Sequence, residues 1–169
     1  MLVSLFVPKQ AAGASLVYFD VWNPGGGQQV ELLSVVPVVS SEVAVVGTVG
    51  LDLFLTRTSA IGTGGTAAVV DGTGLTALSF TALDAIQAVS LSTISARLTP
   101  AGGATASAVI SWISLFTEET TATTYNMNQS LTGGNAIIVP SSTGIRVVQG
   151  SVASVGNIGF NVLLRMTQK

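Results

Sequence analysis

The chain offers few groups that could carry chemistry. Its 169 residues include no cysteine and no histidine, against eight acidic and six basic side chains. A thiol nucleophile, a Ser-His-Asp triad, a zinc finger and an imidazole metal site are therefore excluded. Carboxylates remain. Glu118-Glu119 is the adjacent acidic pair with no residue between, but glycoside hydrolysis needs two carboxyls facing each other across a bond, and neighbours on a loop do not. Asp71-Gly72-Thr73-Gly74 has the flavour of a calcium loop or an aspartic-protease turn. A calcium loop needs several carboxylates, and only Asp84 lies near, so a tight turn is expected. Gly62-Thr63-Gly64-Gly65-Thr66 lacks the lysine of a phosphate-binding loop and opens no convincing helix, so it reads as a simple loop. No catalytic residue, cofactor or metal is expected, and the chain reads as a non-enzyme.

The aromatic residues are the next candidates, for stacking on a sugar or on a partner. Trp22 stands beside the turn Asn23-Pro24-Gly25-Gly26-Gly27, and Tyr125 follows a threonine-rich loop. These two are the expected interface or ligand residues. Trp112 is expected in the core. Arg57 ends an apolar strand, where its planar fork suits an ion pair or a row of carbonyls. It joins Trp22 and Tyr125 as a candidate for an interface or ligand surface.

The elements that must hold these residues are strands. Val, Ile and Thr number 23, 9 and 19. Such β-branched side chains suit a pleated sheet better than a helix. Residues 15–22 and 28–36 flank the Pro-Gly turn and read as a hairpin. In 50–56, Leu51, Leu53 and Leu55 alternate with Asp52, Phe54 and Thr56. Residues 108–116 are apolar on both faces and should form a central strand. Further strands are expected at 43–46, 66–70, 75–81, 91–98, 136–139, 145–149, 151–155 and 159–167, and one short helix at 82–89. The fold class is all-β, a single-domain antiparallel sandwich of jelly-roll type over 1–169 with eight to ten strands. Residues 1–14 are expected as an extended N-terminal arm.

Charge is the outlying quantity. Charged residues make up 8% of the chain, where about 25% is usual. Two lysines and four scattered arginines give no phosphate-binding patch, so nucleic acid is not an expected partner. The opening lacks a basic n-region, and the apolar runs are all short, so neither a signal peptide nor a membrane span is expected. Sheet edges in free monomers are guarded by lysine, proline or inward charge, and this chain has little of any. An obligate homo-oligomer is therefore expected, coated where it meets water by its 18 serines and 19 threonines.

Several short stretches resemble small structural proteins of tailed bacteriophage virions. They are Arg57-Thr58-Ser59-Ala60-Ile61-Gly62-Thr63-Gly64-Gly65-Thr66, Leu83-Asp84, Ala136-Ile137-Ile138-Val139-Pro140 and Gly144-Ile145-Arg146-Val147, within roughly residues 50–169. The resemblance implies a capsid decoration (cement) protein on the virion surface, made in the host cytoplasm. It also implies a homotrimer, with the major capsid protein as partner. The alternatives are a host-glycan-binding fibre or adhesion module, and a major capsid or tail-tube lattice subunit.

Overall fold

Phe160, Val162, Leu164 and Met166 are buried, while Asn161 and Arg165 between them are exposed. This period of two is that of a strand with one wet face. Leu51, Leu53 and Leu55 are buried by the same alternation. The computed structural model describes residues 1–40, 50–72, 76–84, 94–102, 106–116, 127, 135–154 and 156–168. Among these residues are twelve strands and no helix. They are β1 (Leu2–Ala11), β2 (Val17–Asn23), β3 (Gln28–Ser40), β4 (Gly50–Thr58), β5 (Thr66–Ala67), β6 (Val69–Val70), β7 (Ser79–Ala82), β8 (Ser95–Leu98), β9 (Ala106–Phe116), β10 (Ile137–Val139), β11 (Thr143–Gln149) and β12 (Asn157–Gln168).

The strands form two six-stranded sheets, β10-β3-β12-β1-β7-β6 and β5-β8-β2-β11-β4-β9. With the short strands β5 to β8 set aside, the pairing is nested: β1 with β12, β2 with β11, β3 with β10, and β4 with β9. That is one long hairpin. Rolling it up brings β3 against β12 and β4 against β11, so that successive strands of the set alternate between sheets except at β4 and β9, which pair in the second. The winding is that of a jelly roll. Every pairing is antiparallel except that of β6 with β7. The count exceeds the expected eight to ten because β5 to β8 insert between β4 and β9 and widen both sheets.

Several sequence expectations need correction. The 15–22 and 28–36 strands exist but form no hairpin. β2 is flanked by β8 and β11, and β3 by β10 and β12, so the two lie in different sheets. Gly25, Gly26 and Gly27 all take positive φ (96°, 86° and 84°), a conformation open to glycine, and the chain crosses the sandwich there. Residues 1–14 are no arm, since β1 runs between β12 and β7. Among the described residues, β9 is not central but an edge strand. Ala82 ends β7, and Leu83 and Asp84 are not helical; Asp84 Oδ1 accepts the Leu2 amide at 2.8 Å. The rest of the expected helix, 85–89, lies outside the described residues, as do 43–46, Glu118-Glu119 and Tyr125. Residues 151–154 form no strand.

The core lies between the sheets, and Phe160 of β12 is its crossing point. Its ring sits 5.3 Å from Tyr18 and 5.4 Å from Phe19, both on β2 of the opposite sheet. Buried Tyr18, Gln149 and Asn23 find polar partners. Tyr18 Oη donates to Gln149 Oε1 at 2.7 Å, the Gly13 amide donates to the same oxygen at 2.9 Å, and Gln149 Nε2 donates to Val152 O at 2.9 Å. At another point, Asn23 Nδ2 donates to Val139 O at 2.9 Å and ties β2 to β10 across the sheets. Truncating a buried phenylalanine costs about 3–5 kcal/mol. Phe160→Ala should accordingly lower the urea midpoint with little change in slope; an unchanged midpoint would contradict the inter-sheet role of this ring.

Candidate functional site

The outer face of the second sheet is laid out by register. Four strands contribute one row, Arg97 (β8), Asp20 (β2), Arg146 (β11) and Thr56 (β4), each opposite the next. Pairings that join residues far apart in sequence thus gather two of the four arginines around one carboxylate. Asp20 is 2% exposed. The 61–65 loop lies over it, and a Cβ on Gly62 would collide with Asp20 Oδ2. Asp20 Oδ1 accepts the Arg97 amide at 3.1 Å, and Arg97 Nη1 donates to Gly64 O at 3.0 Å. Arg146 Nε donates to Thr56 Oγ1 at 3.2 Å. The arrangement pins a glycine loop onto the sheet. Thr63 completes the attachment, pairing with Gly102 through its backbone.

Burial raises the Asp20 carboxyl above its ordinary pKa, while the Gly62 and Arg97 amides and the Arg97 and Arg146 charges pull the other way. Burial likewise raises the Tyr18 hydroxyl. Among the described residues no three acidic side chains come together. Asp71 sits at positive φ (50°) in a turn, with its amide donating to Phe80 O at 2.7 Å.

A second row on this face is apolar. Phe54 of β4 lies between Val148 of β11 and Trp112 of β9, and its ring stacks on Trp112 at 6.3 Å and 23°. Trp112 is 58% exposed and Val109 62%. Trp112, expected in the core, therefore faces outward, because β9 turns its other face, including Leu115, to the interior. Among the named candidates, Trp22 is half-buried on β2 opposite Gly144, where a Cβ would meet its ring at 3.1 Å. Arg57 is half-buried and donates to Ile138 O at 3.0 Å, spanning from β4 to β10. It is a carbonyl cap, distant in role from Trp22.

The outer face of the first sheet carries a groove of about 600 Å³, lined by Phe6, Pro8, Lys9, Val38, Asn157 and Asn161 among others. It opens where β1 shifts register between Val7 and Gln10. Gly159 permits this, since a Cβ there would sit 2.8 Å from Val7 O.

The raised Asp20 value has a definite sign. The folded protein holds this proton more tightly than the unfolded chain, so the contribution is fully present below about pH 4 and lost as pH rises through the raised value. Asp20→Asn removes it. The melting temperature of the variant relative to the parent should therefore become more favourable as pH rises above about 4; a difference that stays flat would contradict the burial. The chain matches no protein-family model, no curated protein and no solved structure.

Proposed function

We propose that this chain is a non-enzymatic structural subunit, a decoration (cement) protein that bridges capsid subunits on a phage head. The observation that carries the proposal is the second sheet's outer face. There Trp112 and Val109 are exposed beside Phe54, while Asp20 is sealed under a loop and the exposed Asp52 accepts from Ser114 Oγ. Large apolar side chains open to water mark a surface that another protein covers. Neutral hydroxyl and amide groups around them cost less to desolvate than charges would. Ile138, Leu83, Val69, Val70 and Val152 extend the exposed apolar set beyond this face. Such a subunit works by mass action: whatever binds the assembled lattice and not its dissociated parts stabilises the lattice. Jelly rolls occur in viral capsid and lectin domains alike, so the winding supports a virion role without choosing it.

A second reading rests on the groove of the first sheet. Phe6 with the amides of Asn157 and Asn161 offers a ring face and planar hydrogen-bonding groups, a combination suited to a host glycan on a fibre or adhesion module. Glycan-array binding abolished by Phe6→Ala would favour it.

The decoration role predicts that capsids stripped of this protein break at a lower temperature than capsids to which it has been added back. Equal breakage temperatures would contradict the role. Copy number in purified particles separates a decoration protein from a major capsid or tail-tube subunit.

A further inference from the structure

The two sheets present four edges. The outermost strands of three are short: β5 and β6 have two residues each and β10 has three, and where β3 runs on past β10 it carries Pro37 and gives Val35 O to the Met127 amide. The fourth is β9, with eleven residues. Short edge strands are one way proteins keep a sheet from pairing further; lysine, proline and inward charge are others. β9 uses none of these. Its sequence, ASAVISWISLF, has no charged residue, proline or glycine. Among the described residues, β4 is its sole strand partner.

We propose that β9 is the docking strand for a second copy of this chain, the two β9 strands pairing antiparallel across a two-fold axis to join the second sheets into one. The proposal rests on reading the protein as an assembling subunit and names the surface through which it assembles. An open edge offers alternating N–H and C=O groups over about 36 Å, and only another extended chain satisfies such a row. Among the outermost strands of the described residues, β9 is the one that matches β9 in length. Pairing with β5, β6 or β10 would leave most of the eleven residues bare. Two identical strands meeting across a two-fold form an isologous contact, and an uncharged strand brings no like charges together in any register.

The side chains agree with the backbone. Leu55 of β4 pairs with Ser111 and Thr56 pairs with Val109, so Ile110 is an extra residue and the strand bulges there. The bulge puts Val109 on the same outer face as Trp112, although three positions separate them. An antiparallel register that sets one copy's Trp112 beside the partner's Val109 covers both of β9's exposed large side chains, and covers them twice. Symmetry of this kind gives an even-numbered assembly, in place of the trimer implied by the sequence resemblance.

Sedimentation velocity on the full chain at micromolar concentration tests the proposal. The parent protein should sediment at twice the 17.1 kDa chain mass, or an even multiple of it. Val109→Lys and Trp112→Lys each set a charge against the partner's apolar side chain at the seam and should weaken association by about tenfold or more. Ile138→Lys, on the exposed side of β10, should leave it unchanged. Unaltered circular dichroism would show that the β9 variants still fold. A parent that is monomeric or trimeric, or an even-numbered assembly that ignores both β9 substitutions, would overturn the β9 contact. Those results leave the decoration reading to its own test on capsids, and the capsid test can fail while the β9 dimer stands.

Discussion

β12 is hydrogen-bonded to β1 along one side and to β3 along the other. The rest of the structure depends on this double pairing. It joins residues near the two ends of the chain into the middle of one sheet. It also places Phe160 opposite Tyr18 and Phe19, so that the second sheet packs where the first is already closed. Nested pairing has a cost in folding, because contacts between distant residues must overcome loop-closure entropy before they stabilise anything. It has a benefit in architecture. The inner faces are committed to each other, and the outer faces are left to carry whatever the protein does.

Those outer faces resolve the charge deficit. A chain with 8% charged residues cannot cover two sheets with lysine and glutamate, and it does not try to. One ion pair, Arg165 with Glu31 at 3.1 Å, lies on the first sheet. On the second sheet Asp20 and Arg97 hold a glycine loop, and Arg146 lies beside Asp20 and donates to Thr56. Among the described residues, what faces outward beyond them is, Asp52 apart, neutral and in places apolar. The missing charges and the exposed Trp112 are one observation made at two levels, composition and surface.

Much of this was legible in the sequence. The β-branched excess gave the class, and alternation in 51–55 identified the buried side of that strand, because a period of two is a local property. The hairpin expectation at 15–36 failed for a non-local reason: both sides of β2 are claimed by strands from elsewhere in the chain, β8 and β11. The Asp20 row was invisible for the same cause, since nothing in the spacing of residues 20, 97 and 146 reveals that they are neighbours. The reading of 108–116 is the informative failure. Two apolar faces do imply that both are covered, and the inference to a central strand assumed that one chain supplies both covers. Among the described residues, the chain covers one face of β9 and pairs one of its edges, with β4.

The central claim is that the β9 edge and its outer face are built to be covered. Amide hydrogen exchange along Ala106–Phe116 in the assembled protein measures this directly. An edge paired to another strand protects its outward amides as well as its inward ones, and dilution should release the outward set while the amides bonded to β4 stay slow. If the outward amides exchange at the rate of free chain at every protein concentration and also in particles, the edge is open in the working state and the account is wrong.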